Sequence, residues 1–399
     1  MANKPNIRFK GFTEDWEQRK LETVATFSKG NGYSKGDLIT SGTPIILYGR
    51  LYTKYETTIT EVDTFVDIKQ GSVYSKGGEV IIPASGETAE DIARASTVEN
   101  AGVLLGGDLN VVTLNEDIDP AFLALSISHG ESHKELAKKA QGKSVVHIHN
   151  AEIMALNIPF PSRIEQSRIS AYFSTLDHLI TLHQRKCDDT KKLKKYMLQK
   201  MFPKNVEKKP EIRFAGFTDD WEQRKLPEFV SFFNGLTYTP DDVQETGTLV
   251  LRSSNVKNGE IVDADNVYVS DKVATSENVQ EGDIIVVVRN GSRALIGKHA
   301  QIKASMPNTV IGAFMSGIRS EHSSFVNALL DTSAFDNEIA KNMGATINQI
   351  TGYMFSKMEF MIPSEEEQQR LGEYFSNLDN LITLHRRAYH HIKRRTYKC

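Results

Sequence analysis

Three short stretches of the chain combine residue types found in catalytic or metal sites. Gln141-Gly142-Lys143-Ser144 ends like a phosphate-binding loop, but the motif GxxxxGK[ST] needs a first glycine where the chain has Ala137. His147 and His149 have no nearby set of Cys, His or Asp residues to complete a metal site, which favours a structural role. Pro240-Asp241 lacks the downstream Glu-x-Lys of a nuclease, and the Asn/Asp-Pro-Pro-aromatic tetrapeptide of amino-methyltransferases is absent. We therefore expect no catalytic residue, no metal and no cofactor in this chain.

A different chemistry, recognition of DNA, is indicated by basic, amide and aromatic side chains that follow predicted strands. Arg and Asn can each make two hydrogen bonds to one base, guanine and adenine respectively. The candidates in the first half of the chain are Tyr48, Arg50, Tyr52, Lys54 and Tyr55, with Ser85 and Thr88 on a later loop. Those in the second half are Arg252, Ser253, Asn255, Lys257, Asn258, Arg289, Asn290, Ser292, Arg293 and Lys298. The alternative is equally open: packed tyrosines, solvated cations and ordinary turns such as Arg-Asn-Gly-Ser.

Bulk composition describes an ordinary globular protein with an uneven charge distribution. The formal net charge is −3, yet residues 184–209 hold ten Lys or Arg against three acids, and residues 385–399 hold six against none. Such blocks suit a polyanionic partner or a solvated helix face. With two cysteines, no apolar leader and no apolar run near the length of a membrane span, we expect a cytoplasmic protein that binds no membrane.

The chain repeats itself, and this repeat organises everything else. Residues 5–21 read PNIRFKGFTEDWEQRKL and residues 210–226 read PEIRFAGFTDDWEQRKL. We call these two stretches the opening motifs. Trp16 and Trp221, one in each opening motif, are interpreted as core residues that anchor each domain, with partner docking as the alternative.

The segments between the opening motifs and the long helices share almost no sequence, but they have turn residues and apolar runs in a similar order. Each holds short β-rich runs between Gly, Asn and Asp turns, which predicts strands. The predicted strands are Pro44–Tyr48, Glu79–Pro83, Val111–Leu114, Leu249–Arg252, Val267–Val269 and Asp283–Arg289. Each segment then has a predicted helix (Pro120–Lys139; Ser323–Lys341), a glycine (Gly142; Gly344) and a strand into Ile-Pro (Ile158-Pro159; Ile362-Pro363). Two mixed α/β domains of one fold, with different surfaces, are predicted.

Each repeat ends in a long amphipathic helix. From Ser162, a candidate cap with Glu165 placed to complete a capping box, no Pro or Gly interrupts the chain before Pro203. Apolar residues recur at heptad spacing, which predicts a coiled coil. The predicted seam positions are Ile169, Phe173, Leu176 and Ile180 in the first copy and Leu371, Phe375, Leu378 and Ile382 in the second. An exposed apolar stripe of this length needs a partner, and each helix is the nearest partner of the other.

The ordered set of motifs, occurring twice, resembles the specificity subunit of type I DNA restriction–modification systems. The set consists of the opening motifs, the Gly142 and Gly344 runs, the Pro-x-x-x-Glu-Gln lead-ins (Pro161/Glu165/Gln166; Pro363/Glu367/Gln368) and the Leu-Asp-x-Leu-Ile seams (176–180; 378–382). The resemblance covers essentially the whole chain. One departure is that the second helix has no counterpart of residues 191–202.

This resemblance implies an α+β (mixed α/β) architecture. Two similar target-recognition domains would be joined by two long antiparallel coiled-coil helices with pseudo-two-fold symmetry. The corresponding boundaries are 1–158 for the first recognition domain, 159–205 for the first helix, 206–361 for the second domain and 362–399 for the second helix.

The resemblance also implies a function and partners. The chain would bind double-stranded DNA, read a bipartite asymmetric target, and direct adenine methylation and restriction by other subunits. Those partners would be two modification (methyltransferase) subunits, which bind S-adenosylmethionine, and restriction (endonuclease/translocase) subunits. The alternatives are an autonomous sequence-specific DNA-binding protein and a scaffold that binds no DNA.

Overall fold

A computed structural model of the chain describes residues 5, 7–142, 144–204, 207–343 and 348–396. Lys143, Gly344 and the terminal residues 397–399 therefore lie outside the described residues. The chain divides into two compact units: unit 1 is Met1–Leu182 with Tyr389–Cys399, and unit 2 is His183–Ala388. The domain boundaries expected from the sequence separate recognition domains from helices instead, and they stay a prediction.

Unit 1 is built from short strands and helices followed by the first half of a long helix. Its strands are β1 (Glu17–Lys20), β2 (Ala25–Lys29), β3 (Thr43–Ile46), β4 (Thr58–Ile59), β5 (Phe65–Val66), β6 (Glu79–Pro83), β7 (Ser85–Gly86), β8 (Ser96–Val98), β9 (Leu104–Leu105), β10 (Leu109–Leu114), β11 (Val146–His147) and β12 (Asn157–Phe160). Its helices are α1 (Arg50–Thr53), α2 (Ala89–Ile92), α3 (Pro120–Ser128), α4 (Gly130–Lys139), α5 (Asn150–Met154) and α6 (Arg163–Met201), the last of which continues into unit 2.

The main sheet of unit 1 has the strand order β2-β10-β6-β8-β4. Val80, Ile81 and Ile82 of β6 are fully buried, which explains why this central strand is a continuous apolar run instead of an alternating one. A second sheet has the order β5-β3-β9, and β1 pairs with β12, which returns the chain to its opening motif before α6 begins.

Unit 2 contains the second half of α6 and the remaining elements. Its strands are β13 (Glu222–Lys225), β14 (Ser231–Asn234), β15 (Val243–Gln244), β16 (Thr248–Leu251), β17 (Val256–Lys257), β18 (Glu260–Ile261), β19 (Val267–Val269), β20 (Ile284–Val287), β21 (His299–Gln301), β22 (Thr309–Ile311), β23 (Met315–Arg319) and β24 (Glu359–Ile362). Its helices are α7 (Ser323–Leu330), α8 (Ser333–Asn342), α9 (Gly352–Phe355) and α10 (Glu365–Thr396), whose end from Tyr389 belongs to unit 1.

The two units share most of their strand connectivity, although the sequences between their repeats are almost unrelated. In unit 2 the sheets have the orders β14-β23-β20-β21 and β15-β19-β16-β22, and β13 pairs with β24. Thus β14, β23, β20 and β21 stand where β2, β10, β6 and β8 stand in unit 1, and β19-β16-β22 matches β5-β3-β9. This confirms the predicted pair of domains of one fold.

The predicted strands are confirmed, but the prediction of one continuous helix in each segment is wrong, because each is divided into two helices. Two of the predicted runs have the same bounds as β6 and β19. The other four differ from β3, β10, β16 and β20 by one or two residues at one or both ends. The helix predicted over Pro120–Lys139 is broken between α3 and α4, because Gly130 adopts φ +70° after an extended His129. The helix predicted over Ser323–Lys341 is likewise broken, at an extended Thr332 between α7 and α8.

A close approach of two backbones occurs at corresponding glycines of the two units. A Cβ atom added to Gly30 would lie 2.0 Å from the carbonyl oxygen of Gly106, and one added to Gly235 would lie 2.0 Å from that of Gly312. No real Cβ tolerates such a distance to a backbone atom. These positions therefore require glycine in both copies.

Substituting Gly235→Ala should destabilise unit 2 by about 1–3 kcal/mol, because the backbone must shift to admit the methyl group. Gly291→Ala is the matched control, since a Cβ there meets nothing within 4 Å. The free energy of unfolding from denaturant titration measures both effects. Equal transition midpoints for the two variants would contradict the close approach.

The long helices α6 and α10 begin as expected, but one half of the predicted capping box is wrong. The Ser162 hydroxyl accepts the amide hydrogen of Glu165 at 3.4 Å. The Glu165 carboxylate does not reach back to the cap, because Arg8 of the first opening motif donates two hydrogen bonds to it, at 2.6 and 2.7 Å. In the second repeat Arg213 does the same to Glu367, at 2.8 and 2.7 Å. We call these two ion pairs the arginine clamps.

Among the described residues, no helix combines the length and the apolar composition of a bilayer-spanning segment. The predicted seam positions of α6 and α10 are buried or half-buried. In the second copy Leu371, Phe375 and Leu378 are buried in the core of unit 2, and the Phe375 ring lies 5.8 Å from that of Phe202. Ile382 is half-buried.

The seam of the first copy is less enclosed than that of the second. Ile169 packs against the core of unit 1, and Phe173, Leu176 and Ile180 are half-buried. The tryptophans of the two opening motifs also face protein, as the core interpretation expected. Trp221 is 1% exposed, and the half-buried Trp16 packs edge-on against Phe122.

Within unit 2, α6 and α10 run antiparallel. His183 contacts His385, with 3.1 Å between their Nδ1 atoms, and the Cys187 thiol lies 3.7 Å from the carbonyl oxygen of Ile382. Further along α6, the ammonium group of Lys194 lies 2.5 Å from an Asp379 carboxylate oxygen. As the residue number increases along α6, the number of the contacted residue on α10 decreases. This confirms the antiparallel pairing of the helices.

The histidine pair should make unit 2 sensitive to mild acid. Burial, and then the nearby charges of His183 and Lys186, hold the pKa of His385 below its usual value. Stability from a neutral His385 is complete above the unfolded-state pKa of about 6.5 and is lost as the pH falls towards the lowered pKa. We therefore expect His385→Gln to reduce the loss of stability between about pH 7.5 and pH 5.5. Unfolding of the exposed His178→Gln variant over the same range is the control, and identical slopes would refute the effect.

Candidate nucleic-acid interface

The basic and aromatic cluster predicted after β3 lies on α1 and its flanks, and its arginine is already neutralised. Arg50 is buried, and its guanidinium donates hydrogen bonds to Asp63 at 2.6 Å, to Glu56 at 2.7 Å and to the carbonyl oxygen of Glu61 at 2.8 Å. Breaking such a network to contact DNA would leave the Glu56 carboxylate without its arginine and remove one of the two cations that bind Asp63. The structure therefore gives Arg50 a structural role, and we leave it out of the interface.

The other members of this cluster differ in how much of each side chain remains available. Lys54 binds Asp63 at 2.8 Å, and this hydrogen bond, followed by that from Arg50, lowers the pKa of Asp63 to about 2. The Tyr52 hydroxyl donates to the carbonyl oxygen of Ser85 at 2.7 Å, and burial raises its pKa. Tyr48 is 37% exposed and is the most accessible ring of the set.

Tyr55 and Thr88 also have roles within unit 1. The Tyr55 ring lies under the guanidinium of Arg94 at 5.2 Å, and burial raises the pKa of its hydroxyl. The Thr88 hydroxyl caps α2 by accepting the amide hydrogen of Asp91 at 3.0 Å. Both side chains stabilise their own unit.

Ser85 is placed differently, at the end of the central strand. It lies on β7, which pairs with β11, and its hydroxyl is 3.3 Å from Nδ1 of His147. The rings of His147 and His149 are exposed and stack on each other with centroids 6.3 Å apart. No group of three or more His, Cys, Asp or Glu residues suited to a metal ion occurs in the described part of the chain.

In unit 2, two of the predicted residues stabilise the loop that follows β16. Arg252 donates to the backbone and side chain of Asp265, at 2.5 and 2.9 Å. Asn255 is fully buried, and its amide donates to the carbonyl oxygen of Ala264 at 2.8 Å and to Asn266 at 3.0 Å. Asn255 cannot reach a base without losing these bonds, so we leave it out of the interface as well.

Lys257 and Asn258 occupy the exposed tip of the hairpin formed by β17 and β18. Asn258 and Gly259 both have positive φ values, 54° and 72°, as a two-residue hairpin turn requires. The hairpin is fixed to α10, because the Glu260 carboxylate binds Thr383 and Arg386. A cation and an amide are therefore presented on a rigid projection.

The remaining candidates lie around the end of β20. Arg289 is exposed, and its guanidinium covers the ring of Phe314 at 5.1 Å. Asn290 donates to Ser253 at 3.1 Å and accepts the amide hydrogen of Ser292 at 3.0 Å. Ser292 itself is exposed.

Arg293 is the first residue of a short 3-10 helix, Arg293–Leu295, and Lys298 follows that helix; both side chains are exposed. Neither forms an ion pair with another described residue, unlike Arg50 and Arg252. Their charges are therefore available to phosphates.

Sequence reasoning missed Phe314, which is 55% exposed beside Arg289. Its signal was a large aromatic residue placed between the Gly312 turn and β23. It also missed the placement of Lys194, for which the charge pattern of the helix indicates a solvated or phosphate-following cation. Lys194 is instead half-buried between Asp331 and Asp379, at 2.6 and 2.5 Å.

Comparison with known proteins gives a family match over both repeats. A family model described as "Type I restriction modification DNA specificity domain" matches the chain twice, at residues 13–190 and 218–394. The chain is 24% identical to the type I restriction enzyme MjaVIII specificity subunit of Methanocaldococcus jannaschii, over 96% of this chain and 90% of that protein. It is 25% identical to the MjaX specificity subunit of the same organism, over 96% and 91%.

The fold is also similar to a solved structure. The crystal structure of a type I restriction–modification S subunit from M. genitalium superposes with a TM-score of 0.66 at 12% sequence identity. The match covers 97% of this chain and 95% of that one.

Proposed function

The chain belongs to the type I restriction–modification DNA specificity family, and we propose that it reads a bipartite, asymmetric DNA target, one half-site with each unit. A specificity subunit supplies target recognition to its complex and is not the catalytic component. DNA and other restriction–modification subunits are therefore its partners in general terms. The half-sites and the particular partner subunits belong to the proposal.

One observation carries the proposal: the two units repeat one strand order while their exposed side chains differ. The order β14-β23-β20-β21 matches β2-β10-β6-β8. At corresponding strand ends, however, unit 1 presents Ser85 and unit 2 presents Arg289. Bases are distinguished by the pattern of donors and acceptors that contact their edges. Two frames with different side chains are therefore suited to two different half-sites.

The partners in this proposal are two modification subunits that bind S-adenosylmethionine and methylate adenine, together with restriction subunits. The opening motifs support two equivalent docking sites, because they keep nearly the same residues where the rest of the units diverge. Among their exposed residues, Thr13 recurs as Thr218, and the acidic Glu14 is replaced by the equally acidic Asp219. Solvent-facing residues that contribute to no core and yet are repeated suit one kind of partner bound twice.

A titration of the purified full chain against duplex DNA tests the function. It is performed with and without a co-expressed modification subunit, at two salt concentrations. Binding of phosphates releases counterions, so affinity for DNA should fall by several powers of ten between about 50 and 200 mM salt. We expect specific binding to need, or to be strengthened by, the modification subunit.

The other outcomes identify the alternatives. Tight, specific binding that the modification subunit leaves unchanged would favour an autonomous DNA-binding protein. No salt-sensitive affinity in either sample would refute DNA recognition and favour a scaffold.

A further inference from the structure

At the end of β6 in unit 1, backbone hydrogen bonds bring three separate segments together. The amide of Ala84 donates to the carbonyl oxygen of Asp108 at 2.7 Å, and the amide of Ile148 donates to the carbonyl oxygen of Ala84 at 3.1 Å. The next residue, Ser85, pairs with His147 across β7 and β11. The side chains of Asp108 and His147 are exposed, and that of Ser85 is half-buried.

The end of β20 in unit 2 has the same arrangement. The amide of Val288 donates to the carbonyl oxygen of Phe314 at 3.0 Å, and the amide of Ile350 donates to the carbonyl oxygen of Val288 at 2.8 Å. The next residue, Arg289, pairs with Gln349 in an antiparallel bridge. Three positions of unit 2 therefore correspond, bond for bond, to three positions of unit 1.

We name these sets the end triads. The unit 1 triad is Ser85, Asp108 and His147, and the unit 2 triad is Arg289, Phe314 and Gln349. Their backbones are held alike, and no residue type is shared between corresponding positions. At these solvent-facing strand ends, the two units therefore have the same backbone arrangement but different side chains.

We propose that the end triads determine which bases each unit reads. This inference rests on the proposed function and deepens it by assigning base selection to Phe314, Gln349, Asp108 and His147 beside Ser85 and Arg289. In the unit 2 triad, Arg289 has the donors for guanine, Gln349 fits adenine, and the Phe314 ring provides an apolar surface for the thymine methyl group. Asp108 in unit 1 can only accept, which suits the amino group of cytosine.

The charges of the two triads support a role in selecting bases and not merely in raising the affinity for any DNA sequence. Arg289 forms no ion pair with another described residue; its guanidinium rests on the exposed ring of Phe314. Arg319, by contrast, is bound to Asp283 at 2.7 Å. An exposed Asp108 is repelled by phosphates, so its placement in an interface with DNA would favour only the correct base.

The experiment uses the full chain expressed in cells with a matching modification subunit, and the methylated sequences are read across the genome. Arg289→Ala, Phe314→Ala and Gln349→Ala should each relax base preference in one half-site only, and always in the same one. Asp108→Ala and His147→Ala should relax the other half-site. Loss of one good base contact corresponds to a roughly 5- to 150-fold loss of discrimination at that base pair.

Tyr353→Ala and Lys272→Ala are the matched controls in unit 2, since both side chains are exposed and neither residue belongs to the triad or to the candidate interface. Arg289→Lys and Phe314→Leu repeat the test with smaller changes, should an alanine variant fold poorly. Unchanged half-sites in every triad variant, or a uniform loss of methylation without change of sequence, would overturn the assignment. A wild-type chain that directs no bipartite methylation would overturn the proposed function and this inference together.

Discussion

Replacing Arg213 with methionine is expected to lower the free energy of unfolding of unit 2 by about 3–5 kcal/mol. The Glu367 side chain that Arg213 binds is 1% exposed and receives two hydrogen bonds from the guanidinium. Without its partner the carboxylate stays buried and uncompensated. Removing one member of a buried pair costs more than the pair itself contributes.

The chain offers its own reporter and control for this measurement. It has two tryptophans, so the Trp16→Phe background leaves Trp221 as a fluorescent probe of unit 2. Arg224→Met removes a more exposed arginine that lies 3.7 Å from Glu228, and should cost at most about 1 kcal/mol. Arg213→Met with Glu367→Met should recover much of the loss. An Arg213→Met variant as stable as Arg224→Met would refute the arginine clamp.

Lys194→Met should be the second most damaging of the changes considered, at about 3 kcal/mol. Burial lowers the pKa of Lys194, but the charges of Asp331 and Asp379 outweigh burial and raise it overall. The lysine thus joins α6 to α10 and to the turn after α7, and its loss leaves two carboxylates facing each other. Methionine keeps an apolar stem of the same length and lacks only the ammonium group, so the variant tests the loss of that charged group.

Lys192→Met is the control on the same helix. Its side chain is 79% exposed and lies 3.5 Å from Asp189, so the change should cost at most about 0.5 kcal/mol. Both variants are compared by denaturant titration in the background that keeps Trp221. Similar midpoints would show that Lys194 is solvated, as its place in a run of lysines suggests.

Local sequence patterns were sufficient to predict six of the strands and the two long helices of this fold. The apolar run at Glu79–Pro83 gave the bounds of β6, and the repeated opening motifs and heptads gave two like domains and paired helices. The half of the predicted capping box that failed was decided by a distant contact. Local spacing makes Glu165 a cap residue, whereas its actual partner, Arg8, lies 157 residues away in sequence.

The candidate site shows the same division between local and distant information. Arg50 has the residue type and position of a DNA contact, and only the folded chain brings Asp63 and Glu56 around it. Phe314 was missed because nothing near it in sequence indicates that its carbonyl oxygen binds the strand end at Val288. Sequence patterns identify residue types with the right chemistry. The tertiary fold decides which of these side chains are already bound to other residues and which are available to DNA.

Because α6 belongs partly to unit 1 and partly to unit 2, it determines which fragments of the protein can fold alone. Leu198, Met201 and Phe202, at the end of that helix, are buried in the core of unit 2. A recombinant fragment that starts at the second opening motif would lack these three side chains and expose apolar core, including the ring of Phe375 that Phe202 contacts. Such a truncation should aggregate on expression, whereas a fragment spanning 183–388 retains them and is the better choice for producing this half alone.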